Sequence, residues 1–240
     1  MNGTSMYQVG YGLQNSCAYS ATSCIDKESA CCIPDMGRMT LAVQWVVNQP
    51  IQKFTLHGFW PGDCETGMGP EDGCKIGETK TEDDLIADAP LKAKMEKYWV
   101  SSRNNSQWFW DHEWNKHGTC LSTIREECNH SKGDKPHIRY FKTALREYER
   151  YDVYEELARN RIVPREEPYS LKEMVYALNK WRLSFKLQCT RGRLNQIFFF
   201  SYGITGNQFI ERSYYGIHDC PQKIKYLPKI SISPYRAATE

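Results

Sequence analysis

The chain has no run of apolar residues near the ~20 needed to cross a bilayer. No signal-peptide h-region opens it either. Linkers, internal repeats and low-complexity tracts are also missing. One domain over residues 1–240 is therefore expected, with irregular ends at 1–16 and 222–240. An excess of charge of one sign is missing, with 31 Lys+Arg against 29 Asp+Glu and a net charge of +2. That excludes a polycationic nucleic-acid binder, but not an enzyme gripping a few phosphates. Repeated CxxC pairs are absent, which argues against a zinc ribbon.

What the chain does have is cysteine, ten in all, eight of them within the first 128 residues. An even number at irregular spacing indicates a disulfide framework and an oxidising compartment. Three Asn-x-Ser/Thr sequons, at Asn2, Asn104 and Asn129, point the same way. We expect a mature secreted glycoprotein, either extracellular or in a lysosome- or vacuole-like compartment. The 40% hydrophobic and 13% aromatic content suffices for a substantial core.

Patterning predicts strands over 39–47 and 54–60, then a glycine-rich loop over 62–81. A helix is expected over 81–98, opened by a Thr81 cap and acids and kinked or broken at Pro90. Further helices are expected over 108–118, 139–159 and 170–181, the last with a Ser170/Glu173 capping box. Three strands follow, over 183–189, 194–202 and 208–215, and the tail after Cys220 reads as irregular. Helices and strands mix without a βαβ rhythm, so the fold class is α+β.

Two segments carry the chemistry: Phe54–Pro61 (FTLHGFWP) and Phe109–Cys120 (FWDHEWNKHGTC). On a helix Glu113 and His117 share a face, and His112 and Lys116 share the neighbouring one. The string HEWNKH resembles the zinc-protease HExxH with one residue too many. The outer histidines then lie about 140° apart around a continuous helix, so no metal site is expected. Breaking RNA by transesterification needs a base for the 2′-OH proton and an acid for the departing 5′ oxygen. It also needs donors around the phosphorane. Histidine suits both proton roles, and Lys116 suits the charge clamp. A partly protonated Glu113 would donate to a phosphoryl oxygen, which favours mildly acidic pH. Singly, His112 or His117 would more often be a satisfied core histidine, and Trp60, Trp110 and Trp114 packing residues. His130, His137 and His218 read as surface or structural. The joint occurrence carries the weight.

The two segments resemble the paired active-site segments of the ribonuclease T2 family of acid endoribonucleases. The cysteine order, with its adjacent Cys31-Cys32, is similar to that of fungal-type members. The resemblance covers about Cys17 to Cys220 and implies an α+β fold with a central antiparallel sheet and helices around it. It implies His57 as general acid, His117 as general base, Glu113 and Lys116 as stabilisers of the pentacovalent phosphate, and His112 as phosphate-binding. It also implies the links Cys17–Cys32, Cys24–Cys64, Cys31–Cys128, Cys74–Cys120 and Cys189–Cys220. Trp60 matches a base-stacking residue, and Gln44 and Phe109 match second-base positions. At the first base site the expected aspartate is displaced by one, with Gly62 after Trp-Pro and Asp63 next. Met68 stands near where an aromatic is expected. The implied substrate is single-stranded RNA, cleaved to 2′,3′-cyclic phosphates and then 3′-phosphates by a monomer without cofactor or metal. DNA, lacking the 2′-OH, is not a substrate. The competing reading is a non-catalytic or dual-role toxin, signalling or storage protein on the same fold.

Overall fold

The computed structural model describes residues 17–230, apart from 50, 76, 104, 129–132, 182–183 and 215. Asn2, Asn104, Asn129 and His130 lie outside the described residues. In chain order the elements are β1 (Arg38–Gln44), β2 (Thr55–Gly62), α1 (Glu82–Ala87), α2 (Ala89–Tyr98), α3 (Ser106–Lys116), α4 (Pro136–Tyr148) and α5 (Val153–Arg159). After these come β3 (Tyr169–Ser170), α6 (Leu171–Ala177), β4 (Phe185–Thr190), β5 (Arg193–Ile204), β6 (Gln208–Glu211) and β7 (Lys223–Ile224). The fold is α+β. Its central antiparallel sheet has the order β2-β1-β5-β4, and β6 continues the β4 edge along the upper half of the long β5.

One face of the sheet is the core. Leu41, Val43, Phe59, Ile197 and Phe199 are buried on it. The helix α4 closes over this face, with Tyr140 donating to the carbonyl of Phe59 and Tyr148 to that of Phe54. On the other face the β5 residues Phe198, Phe200 and Tyr202 are only half-buried, and the site is built there.

Two of the expected helices are divided, the first close to the break expected at Pro90 and the second without such a signal. The 81–98 helix breaks at Asp88, whose carboxylate caps the restart by accepting from the Leu91 amide. Pro90 takes an early position of α2, where its missing N–H costs nothing. Thr81 stands at the start of α1 but caps nothing, because its hydroxyl donates to Asp111. The 139–159 stretch breaks after Tyr148, and Asp152 caps α5. The Ser170/Glu173 capping box is formed. The strand expected over 208–215 ends at Glu211. The tail after Cys220 is not wholly irregular. Its β7 pairs with β3, and Ile224 and Tyr226 are fully buried.

Five disulfides staple this frame: Cys17–Cys32, Cys24–Cys64, Cys31–Cys128, Cys74–Cys120 and Cys189–Cys220. Cys24–Cys64 anchors the loop leaving β2, and Cys74–Cys120 ties the glycine-rich loop to the turn after α3. No helix among the described residues is long and apolar enough to cross a membrane.

Candidate active site

The pairing of β1 with β2 slips by one residue. Ala42 faces Gly58 and Val43 faces Leu56, so His57 has no partner and forms a bulge. Bulges re-aim side chains and concentrate near active sites. Here the bulge turns His57 towards the half-buried face that also carries Trp60. The Trp99 indole donates to the His57 carbonyl at 2.7 Å, and Trp110 donates in turn to the Trp99 carbonyl at 2.7 Å. The bulged backbone is thus bonded from the core side.

The second segment arrives on α3, whose start is capped by Asn105 accepting from Trp108. Glu113 is fully buried, and it accepts from the Trp60 indole N–H at 2.8 Å. Its other oxygen lies 3.8 Å from His57 Nε2. Gly58 makes this closeness possible. A Cβ there would stand 2.1 Å from Glu113 Oε2 and 2.3 Å from Trp60 Nε1. Burial pushes Glu113 up to about 8, against the opposing Trp60 hydrogen bond and the Lys116 charge. The carboxyl is therefore protonated at neutral and acidic pH.

The helix stops at Lys116, and His117 occupies the cap position. Its imidazole meets the Trp60 ring at 5.2 Å and the edge of His112 at 6.2 Å. His112 stacks on the exposed Trp108. Ligand atoms of His112, Glu113 and His117 all lie within 4.8 Å of one another. Helical spacing does not keep the two histidines apart, because α3 ends at Lys116 and His117 is its cap. A divalent ion binding there would have to displace the Glu113 proton and sit beside the Lys116 charge, which acts on both Glu113 and His117. Burial, with the His112 charge adding to it, lowers His57 to about 4. Burial, with His112, Lys116 and His57, lowers His117 to about 3. Burial and then Lys116 also lower His112.

Gln196 on β5 was not singled out in the sequence. Its side-chain amide nitrogen bonds His57 Nδ1. An amide N–H can only donate, so Nδ1 accepts and the proton of neutral His57 sits on Nε2. Gln196 lies 139 residues from His57, and only the β1–β5 pairing brings them together. Phe109 packs edge-on against His57 at 5.3 Å. Gln44 is buried beside Gln196, with its amide donating to Val100 at 3.1 Å. Asp63 is spent locally: its oxygens accept from the amides of Glu65 and Thr66 and from the Thr66 hydroxyl. Those bonds hold its carboxyl well below the usual range. A Cβ at Gly62 would lie 2.1 Å from the Gly67 carbonyl, so the folded-back loop itself requires glycine there. His137 is buried and bonds Asp84, and His218 accepts from the Leu187 amide, both structural.

The Ribonuclease T2 family matches residues 13–220. This chain belongs to the ribonuclease T2 family. Ribonuclease Rh of Rhizopus niveus is 30% identical over 92% of this chain and 96% of its own. Ribonuclease T2 of Aspergillus oryzae is 31% identical over 93% of this chain and 83% of its own. Among solved structures, Actibind, a T2 ribonuclease described as an antitumorigenic agent, superposes with a TM-score of 0.80 at 26% identity. That match covers 88% of this chain and 96% of the other. The protein is thus a T2-type endoribonuclease acting on single-stranded RNA. Its disulfide-stabilised build is that of secreted or vacuolar proteins.

Proposed function

We propose that the site cleaves RNA by attack of a ribose 2′-oxygen on the adjacent phosphorus, with departure of the 5′-oxygen. His117 removes the 2′-OH proton, and His57 delivers a proton from Nε2 to the leaving oxygen. Lys116 and His112 bind the non-bridging oxygens. Neutral Glu113 donates its proton as a hydrogen bond to a phosphoryl oxygen as charge builds there. The cyclic phosphate is then opened by water with the two histidines in exchanged roles.

The observation that carries this reading is the convergence of three imidazoles on one protonated carboxyl group. Without substrate, burial holds His57 and His117 neutral. An entering phosphate supplies negative charge, which raises the imidazole pKa values; His57 then takes up a second proton at Nδ1, the Gln196 amide turning its oxygen to accept it, and gives the Nε2 proton to the leaving oxygen. Substrate thus charges its own acid, at a pH where Glu113 is still a donor.

Trp60 would stack on the base 5′ of the scissile phosphate, since stacking suits any base. Gln44 and Phe109, flanking His57, would receive the base on the 3′ side. We assign Asp63 to shaping the loop beside the first base, because its oxygens are already engaged. The test is to incubate the protein with RNA and DNA in EDTA at a pH of about 5, below the ordinary histidine value. RNA cleavage with intact DNA is expected, as is loss of activity in His57→Phe and His117→Phe. Full activity in either variant would overturn the roles.

A further inference from the structure

The half-buried face of the sheet continues past Trp60. Residues paired across an antiparallel ladder point to the same face. Register therefore puts Gln44, Thr40 and Arg38 successively along β1 on one side, with Trp60 beside Thr40. Gly62 and Tyr202 flank Arg38. Arg38 thus lies two residues, roughly 7 Å, beyond the Trp60 row and away from Gln44.

A second guanidinium lies near it, over the ring of the Tyr202 that pairs with Arg38. Arg212, the residue after β6, sits 5.3 Å from the Phe200 ring and 5.6 Å from the Tyr202 ring. Tyr214 stacks on the same Phe200 at 4.7 Å. The Nε atoms of Arg38 and Arg212 are both buried with no hydrogen-bond partner. Arg38 donates through Nη1 to the Glu65 carbonyl at 2.8 Å. Among the described residues neither arginine forms an ion pair. Burial chiefly, with the Arg38 charge adding to it, pushes Arg212 below the ordinary arginine value. Two neighbouring cations, each with a dehydrated unpaired donor, are stabilised by an anion that accepts from both.

We propose that Arg38 and Arg212 form a phosphate subsite for the RNA strand, holding the phosphate on the 5′ side of the nucleotide stacked by Trp60. The placement rests on the ribonuclease reading above, which sets the strand direction from Gln44 through His57 to Trp60. The neighbouring rings of Phe200 and Tyr214 give the next nucleoside an apolar surface. The enzyme would then favour chains extended to the 5′ side over bare dinucleotides.

Cleavage of one dinucleotide, with and without a 5′-phosphate, tests this. In the unaltered protein the 5′-phosphate should raise kcat/KM roughly tenfold through KM, the size of one charge-assisted contact. In Arg38→Ala and Arg212→Ala the ratio of the two substrates should fall to near one. Lys172→Ala, at an exposed position of α6, should keep the ratio. A second arm measures calorimetric binding of the matching deoxydinucleotides, which cannot be cleaved. The phosphorylated form should bind more tightly, with a salt slope steeper by about 0.7. Arg38→Ala should abolish both differences. Equal binding of the two forms by the unaltered protein would overturn the subsite. If the phosphate effect on binding holds but no RNA is cut, the ribonuclease reading falls and the anion site stands.

Discussion

The Trp60 indole donates to the buried Glu113 carboxyl at 2.8 Å, so the ring proposed to stack on a base also holds the group at the centre of the site. The hydrogen bond favours the carboxylate and opposes the burial that raises Glu113 to about 8. Trp60→Phe keeps an aromatic face and removes the donor. Glu113 should then titrate above its value in the unaltered protein, followed by the NMR shift of the labelled carboxyl carbon. An unchanged titration would show that the bond does not tune the group.

Stability should depend on pH through opposing groups. Glu113 is raised from 4.5 to about 8, so its contribution is full below 4.5 and is lost as pH rises to about 8. His57 and His117 are lowered from 6.5 to about 4 and about 3, so theirs is full above 6.5 and is lost as pH falls through those values. Thermal unfolding across pH should show Glu113→Gln flattening the loss on the alkaline side. His117→Phe should flatten the loss on the acid side. Parallel curves for all three proteins would contradict the shifts.

Gly58→Ala is expected to be severe despite adding one methyl group. Its Cβ would overlap the buried Glu113 carboxyl and the Trp60 indole, and the pairing of Gly58 with Ala42 of β1 holds the backbone in place. Overpacking of this kind costs about 1–3 kcal/mol. Displacing a catalytic group by about 1 Å costs on the order of 100-fold in rate. Urea unfolding and kcat on a dinucleotide measure the two effects separately.

The Cys74–Cys120 link closes 46 residues of chain and ends three residues past His117. Replacing both cysteines with serine should cost about 2–5 kcal/mol. The activity should fall below that of an equally destabilised variant elsewhere, because the turn carrying His117 is released. Denaturant titration paired with kcat at low temperature distinguishes the two.

Cleavage should persist in EDTA, while added zinc should inhibit by engaging His112, Glu113 and His117, whose ligand atoms already converge. Zinc must displace the Glu113 proton, so inhibition should strengthen as pH rises towards 8. Activation by zinc would reverse the mechanism.

The residue types of the site were legible because FTLHGFWP and FWDHEWNKHGTC keep them close in sequence. Strand and helix periodicity placed most elements for the same reason. Their ends were less legible. The break at Asp88 depends on a carboxylate reaching the Leu91 amide, and β7 forms only because the tail finds β3. Glu113 and His117 share a face as their spacing implies, but the approach of His117 to His112 was misjudged, because the helix ends at Lys116 and His117 is its cap. Gln196 carried no signal, since its role arises from strand pairing across the chain. The displacement of Asp63 was visible in sequence, but its cause was not: the Gly67 backbone fills the space at Gly62.

In a regular strand His57 and Trp60, three residues apart, would face opposite sides. The unpaired residue in β2 cancels that half-step and delivers both to one groove. The segment is therefore constrained in length as strictly as in composition. Removing or adding a single residue between Thr55 and Trp60 would send one of the two into the core. Substitutions there can be graded, but a change of register is all or nothing.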